Sequence, residues 1–478
     1  MSMLALILAS SIQAQTRYLD EVFTDVTVTS NVKYGENYSE WVSPPNSVLI
    51  PLMMDVYEPM GDSLTERPLV VLAHGGTWLP KCSANQNPYG DKLDSSVVEL
   101  CKQFARRGYT AVSMDYRLGW NPLSSDQEVR ASTIMTAAYL SMQDMKACVR
   151  YMKLNSSTYN VDTNKIVIGG SAAGGYAALH YSNLGPDTME LWIPKLLGTG
   201  GKSIINQPKY GYFEGEGGNP TYSKYNNAGA SSKAHMVMVM EAALGDTSFM
   251  NAGELPTICY STKNDSFSAP RPCRLVSTPQ GLAIIEVCGC MAMATKDVQL
   301  GNNDFHDQFI NDAYTQARMK NSTYAGEYVW GSLSVKYEPW AWYDNTSPCY
   351  GQLPIIFLNP NASKSRALTY IDTIMGYFTP RACNVLGLPC STVGIESQEQ
   401  LDDAISVYPN PSSEVINVSS NVFVKQVFVY TMGGKLTWSH DVDSYGTFRM
   451  DVSKLESGVY FMNLYTEKGI AHKKFIVN

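Results

Sequence analysis

Apolar residues in this chain cluster in short dense runs with polar stretches between them. Pro68–Ala73 is continuously apolar, which suits a strand buried on both faces of a parallel sheet. Thr110–Met114, Ile166–Ile168, His235–Leu244 and Pro256–Ser261 also read as strands. Met53–Pro59 reads as a strand that ends at a proline, and Lys296–Leu300 as a further strand. Between these runs the period changes. Val97, Cys101, Phe104 and Ala105 share one helical face, with Ser96 and Glu99 at capping-box spacing and Gly108 as the stop. Ser125–Lys153 has a helical pattern, as does Ser365–Phe378, where Ala367, Tyr370, Ile371, Ile374 and Tyr377 lie on one side. Strands alternating with helices predict an α/β fold with a doubly wound, mostly parallel sheet and helices on both faces. Beyond Ala404 the pattern is strands and turns only, at 405–408, 415–418, 422–430, 448–452, 458–465 and 471–477, which predicts a small C-terminal β-sandwich. Two domains are expected, 15–390 and 405–478, joined by a polar, acidic linker at 391–404. Residues 307–364 form an aromatic-rich insert in the first, with Tyr328, Trp330, Tyr337, Trp340, Trp342 and Tyr343 either walling a cleft or packing onto the body.

Composition narrows the function classes. The net charge of −8 and the lack of a Lys/Arg-rich run argue against nucleic acid, and no later apolar run is long enough to span a bilayer. Residues 1–14 read as a secretory signal: Met3–Ala9 is apolar, Ser10–Gln15 is small and polar, and cleavage after Ala14 is expected. Ten cysteines in an exported chain suggest several disulfides. Cys383 and Cys390 are close enough to close a small loop, and the other pairings are left open. Cys288-Gly289-Cys290 has no second pair and no nearby histidine, so neither a metal nor a cofactor is implied.

The candidate chemistry sits where the 166–168 strand meets Gly169-Gly170-Ser171-Ala172-Ala173-Gly174. Strand, tight turn with a serine at its tip, then helix is the layout of a nucleophile elbow, here with alanine at 173 where G-x-S-x-G has glycine. Such a turn strains the serine backbone and needs small neighbours, which Gly169 and Ala173 supply. The hydroxyl then stands over a helix N-terminus, whose amides favour negative charge. The buried 68–73 strand delivers His74-Gly75-Gly76-Thr77-Trp78, where the glycines let amides converge on one point, as an oxyanion hole requires. With Asp115-Tyr116-Arg117-Leu118, these motifs in this order resemble an α/β-hydrolase of the esterase/lipase kind over residues 48–310.

The resemblance implies a triad in chain order Ser, Asp/Glu, His. Of six histidines, His74, His180 and His235 precede the acid, and His440 and His472 fall in the tail domain, which leaves His306 as the base. The acid expected on the loop after the penultimate strand is Asp265. Asp246, one strand earlier, is the alternative, suited to a pocket or a helix cap. Amides of Ala172 and of Gly76 or Thr77 are expected to hold the oxyanion. The expected activity is that of a secreted serine carboxylic-ester hydrolase working through an acyl-enzyme on extracellular esters such as acylated polysaccharide, lipid or polyester. A serine peptidase or amidase on the same fold and a non-catalytic surface-binding protein are the alternatives.

The tail carries a second resemblance. Val407-Tyr408-Pro409-Asn410-Pro411, the stretch Val429–Leu436, Leu455–Phe461 and the terminal Lys474–Asn478 resemble the C-terminal sorting domain of type IX secretion cargo. That resemblance implies a Bacteroidetes-type bacterium. It also implies a partner in the type IX machinery bound through 405–478, passage across the outer membrane, and removal of this domain on export.

Overall fold

The computed structural model describes residues 16–43, 46–82, 90–185, 188–265, 272–303, 312–331, 338–342, 363–390, 404–432, 435–466 and 469–478. The expected signal segment 1–14, His306 and all of the expected linker but Ala404 lie outside them. The chain divides into two compact units, Met1–Cys390 and Ser391–Asn478.

The first unit is built on an eight-stranded sheet. Its strands are β1 (Val26–Ser43), β2 (Asn46–Pro59), β3 (Arg67–Ala73), β4 (Thr110–Met114), β5 (Val161–Ser171), β6 (Met236–Met240), β8 (Thr257–Thr262) and β11 (Glu327–Trp330), in the order β1-β2-β4-β3-β5-β6-β8-β11. β2 is antiparallel to β1 and β4, and every pairing from β4 to β11 is parallel. The continuous apolar run of β3 has a direct cause. Leu69, Val71 and Ala73 face one core, while Val70 and Leu72 face the other, so both sides of the strand are covered. On the first side lie α2 (Gln127–Leu154) and α4 (Ala173–Asn183), through Met142, Met145, Ala178 and Leu179. On the second lie α1 (Ser95–Arg106) and α8 (Lys364–Val385), through Leu100, Phe104, Ile374 and Phe378. Two single-turn helices, α3 (Ser156–Tyr159) and α5 (Gln207–Tyr210), fill connections. A small antiparallel sheet, β7 (Ala243–Leu244), β10 (Ala283–Gly289) and β9 (Arg274–Ser277), flanks α6 (Cys290–Leu300); α7 (Ala313–Met319) follows.

Three expectations change. Ser96 is not a cap: the helix starts at Ser95 with Asp94 as N-cap, and the Asp94 carboxylate accepts the amide of Gly90 at 3.2 Å instead of a first-turn amide. Lys296–Leu300 is the last turn of α6, not a strand. Its buried residues Met293, Ala294 and Asp297 follow helical spacing, which a five-residue window cannot display. Among the described residues, the sheet's edge strand after β8 is β11, inside the segment read as an insert. Tyr328 and Trp330 of that strand pack on Tyr260, Tyr370 and Tyr377, so these rings belong to the core.

Cys383–Cys390 closes the small loop that its spacing suggested, and Cys259–Cys290 and Cys273–Cys288 join the strands around β10. Cys82 is disulfide-bonded as well, whereas Cys101 and Cys148 are buried thiols.

The second unit is antiparallel β throughout: β12 (Ile405–Tyr408), β13 (Val415–Thr431), β14 (Leu436–Asp451), β15 (Gly458–Thr466) and β16 (Gly469–Val477). Its core gathers Ile416, Val418, Val427, Val429, Met462, Leu464 and Phe475. The runs read as separate strands at 415–418 and 422–430 are one strand with an irregular register after Ser420. Most of β14 is exposed and polar, which is why apolar alternation revealed only its last residues.

Candidate active site

β5 ends on Ser171 and α4 begins at Ala173. The sharp turn falls on Ala172, at φ 45°, so the strain expected of Ser171 sits one residue further on. A left-handed angle is unfavourable for a residue with a Cβ, and alanine carries the smallest side chain that has one. The elbow is pressed between its neighbours. A Cβ on Gly169 would lie 2.1 Å from the carbonyl oxygen of Met238 in β6, and one on Gly174 would lie 2.2 Å from that of Ala73 in β3. The Gly174 amide donates to the carbonyl of His74 at 3.0 Å, which ties the elbow to the loop after β3.

That loop is braced by the Asp115–Leu118 motif. His74 is fully buried and stacks on Tyr116 with ring centres 4.3 Å apart, and its Nδ1 lies 2.8 Å from the carbonyl oxygen of Gly75. Burial pulls the His74 imidazole down to about 4, so it is a neutral structural group at neutral pH. The Tyr116 hydroxyl donates to the carbonyls of His74 at 2.7 Å and Gly75 at 3.2 Å. Next to it, Arg117 is locked to Asp144 of α2: its backbone amide donates to Oδ2 at 2.8 Å, and its Nη2 lies 2.8 Å from Oδ1. Gly76 (φ 100°) and Thr77 (φ 52°) both take left-handed angles, and the Thr77 carbonyl accepts the indole N–H of Trp120 at 2.7 Å. The Ala172 amide, expected at the oxyanion, donates to the carbonyl of Met240 at 2.8 Å because the turn aims it at β6. An oxyanion role for Ala172 therefore requires that bond to be exchanged for one to substrate.

Ser171 is buried, and among the described residues its Oγ has two partners. It donates to Oε1 of Glu338 at 2.7 Å and accepts from Nε1 of Trp340 at 3.1 Å. An indole N–H can only donate, so the serine proton is directed at the carboxyl group. Gly75 makes room for this contact: a Cβ there would stand 3.2 Å from the same Oε1. Glu338 sits in the left-handed region at φ 37°, and its amide donates to Oε2 of Glu241 at 2.6 Å. Glu241, at φ 48° just beyond β6, also accepts the Thr262 hydroxyl at 2.7 Å. Burial, reinforced by the charges of Asp265 and Glu338, pushes the Glu241 carboxyl well above the usual range. Asp265 is buried three residues beyond β8, with its amide 3.3 Å from the Thr262 carbonyl.

Glu241 and Asp265 thus come from the ends of neighbouring strands β6 and β8, and Glu338, eight residues beyond β11, joins them. Asp246 is elsewhere engaged: it caps the short helix Thr247–Phe249 through the amide of Ser248 at 2.8 Å and pairs with Lys195 at 2.6 Å. His306 lies outside the described residues. Glu338 and Glu241 were not singled out in the sequence.

Residues 54–190 match the BD-FAE family model, a span that includes the His74 loop, the Asp115–Leu118 brace and the elbow. The chain carries an α/β-hydrolase domain of the esterase kind. Residues 406–478 match the model described as a secretion system C-terminal sorting domain, which marks this esterase for the cell surface or the exterior. Among solved structures, the chain is similar to the propionate-bound esterase 2 of Thermogutta terrifontis, at 15% identity and a TM-score of 0.40, covering 78% of this chain and 97% of that one. The butyrate-bound form gives 16% identity and 0.39, with coverages of 80% and 100%. The paraoxon-phosphorylated form gives 18% and 0.33, with 60% and 83%. No curated protein matches the chain. Among the described residues, no helix is long and apolar enough to cross a membrane, and no group of three or more His, Cys, Asp or Glu side chains is placed to hold a metal ion.

Proposed function

We propose that this esterase is a secreted serine carboxylic-ester hydrolase with Ser171 as nucleophile. The observation that carries the reading is a buried Ser171 hydroxyl at the head of α4, oriented by two hydrogen bonds beneath the His74–Gly75 turn. Ser171 Oγ adds to the ester carbonyl, its proton passes to a base, and the oxyanion is met by amides of the Gly76–Thr77 turn and of Ala172. The alcohol leaves with that proton, and water hydrolyses the acyl-enzyme. In the reading from chain order, His306 is the base and Asp265 orients its imidazole. Residues 15–390 form the catalytic part, and 405–478 address the chain to the type IX machinery. Export and the BD-FAE match favour acetyl and feruloyl esters of extracellular polysaccharide as substrates.

The test is a panel of acyl chain lengths with acetylated and feruloylated xylan, and matched amides, on wild type and Ser171→Ala. Ester turnover that disappears in the variant supports the reading. Equal turnover in the variant excludes Ser171 as the nucleophile, and faster cleavage of the amides favours the peptidase alternative.

A further inference from the structure

A cavity of about 540 Å³ lies outside the site around Ser171. It is walled by 38–40 of β1, by 117–121 after β4, by 132–140 of α2 and by the 204–210 stretch. Ser171, its partners Glu338 and Trp340, and residues 74–78 do not line it. Its volume is that of a small-molecule site, which encloses about 300–1,000 Å³. One segment joins it to the reacting end of the sheet. Trp120, on its wall, donates its indole N–H to the Thr77 carbonyl at 2.7 Å, and the Gly119 amide donates to that of Trp78 at 2.6 Å.

The lining chemistry selects among ligands. Tyr38, Trp120 and Tyr210 supply rings, whose negative faces attract polarised C–H groups. The Tyr38 hydroxyl, the Asn121 amide and the Thr136 hydroxyl make no hydrogen bond among the described residues, so donors and acceptors remain for a ligand. Arg117, on the same wall, is 2% exposed, and its Nη1 has no hydrogen-bond partner among the described residues. A buried N–H left in that state is costly, and a ligand oxygen would satisfy it. The charges of the lining are already compensated. Glu40 pairs with Lys209 at 2.5 Å and accepts the Tyr210 hydroxyl, and Arg117 pairs with Asp144 at 2.8 Å. An anion has to compete with those carboxylates, whereas an uncharged polyol meets rings, hydroxyls and an amide without breaking a pair.

We propose that this cavity is a second, non-catalytic binding site that holds a neutral sugar unit of the polysaccharide substrate. The inference rests on the reading of the substrate as an ester of extracellular polysaccharide. C–H faces of the sugar ring lie against the tyrosines, and its hydroxyls reach Asn121, Thr136 and the Arg117 Nη1. A chain held there keeps its other ester groups at a raised local concentration near Ser171, as a second contact on one ligand does.

The experiment is isothermal titration calorimetry on the full-length protein with unacylated xylotetraose, cellotetraose and mannotetraose, and with ferulate as an aromatic anion. Thr136→Phe fills the cavity, and the double variant Tyr38→Ala/Asn121→Ala strips a ring and an amide from its wall. Folding is checked by circular dichroism. A tetraose that binds with a Kd of about 1 mM or tighter, at least about fivefold weaker in Thr136→Phe, supports the site. No binding of any tetraose, binding that Thr136→Phe leaves unchanged, or ferulate held more tightly than every tetraose and lost in that variant, overturns it. If Thr136→Phe does not fold, the double variant is judged by the same criterion. None of these probes carries an ester bond, so the two readings fail separately. Ester turnover retained in Ser171→Ala removes the nucleophile and leaves tetraose binding as it was, and absent tetraose binding leaves the role of Ser171 intact.

Discussion

Asp144→Ala is expected to be among the most damaging substitutions away from the nucleophile. Arg117 and Asp144 are each 1% exposed in their side chains, and the carboxylate takes the Arg117 amide at 2.8 Å and its Nε at 3.0 Å. Removing one partner of a buried pair leaves the other charge without compensation in a medium that solvates it poorly, at a cost of about 3–5 kcal/mol. With an unfolding entropy of about 2.1 cal/mol/K per residue over a unit of 390 residues, that cost is a fall in Tm of about 4–6 °C. Activity should fall with it, because Arg117 anchors the segment whose Tyr116 hydroxyl holds the His74 and Gly75 carbonyls. The double variant Arg117→Met/Asp144→Leu removes both charges and should recover most of the lost stability. Thermal unfolding followed by circular dichroism, with kcat/KM on the same samples, measures both effects. A single variant within about 1 °C of wild type, or a double variant no more stable than the single, would refute the account of this pair as a brace.

Other perturbations test separate parts of the structure. Trp340→Phe removes the indole N–H that donates to Ser171 Oγ and leaves part of a fully buried site empty; at about 1 kcal/mol for the bond, kcat should fall roughly fivefold beyond any loss of stability, and a KM effect alone would count against the contact. Gly174→Ala sets a methyl against backbone atoms of Ala73, so it should destabilise by about 1–3 kcal/mol and reduce kcat in urea-unfolding and rate measurements. His180 tests the pH dependence of stability. Its Nδ1 faces the Tyr176 carbonyl and its Nε2 accepts the Gly245 amide, an arrangement that suits only the neutral ring, and burial lowers it to about 4. The unfolded chain, with an ordinary imidazole near 6.5, binds the proton first. This group's contribution is therefore complete above about pH 6.5 and is lost as pH falls towards 4. His180→Asn should flatten that limb by about 2 kcal/mol between pH 6.5 and 5, and parallel wild-type and variant curves would rule the mechanism out.

Much of the architecture was legible because its strands are covered on both faces, which leaves continuous apolar runs such as 68–73 and 236–240. β11 escaped for the opposite reason: it is four residues long, begins with a buried Glu327, and lies in an aromatic-rich stretch that reads as an insert. At the site, the local signals were readable. The elbow and the His74 loop are turn chemistry, written in consecutive residues. The convergence of Glu338 on Ser171 across 167 residues is a product of strand order, and no local pattern encodes it. Glu241 was hidden differently: it was read as part of a strand, and its left-handed backbone breaks that strand at the one residue whose carboxyl supports the next layer of the site. Cys383–Cys390 could be read from loop closure, while the pairings of Cys259 and Cys273 depend on where β8 and β10 meet.

Those two cross-links bear on where the enzyme matures. Cys259 lies in the strand that leads to Asp265 and bonds to the first residue of α6, and Cys273–Cys288 secures the hairpin beside it. Bonds of this kind persist in the oxidising periplasm and are kept open by cytosolic thiols. Freshly made chains therefore carry the stretch from β8 to α6 without these covalent staples, which form once the chain is exported. Recombinant protein made in a reducing host should accordingly differ from exported protein around Asp265 while sharing the same elbow.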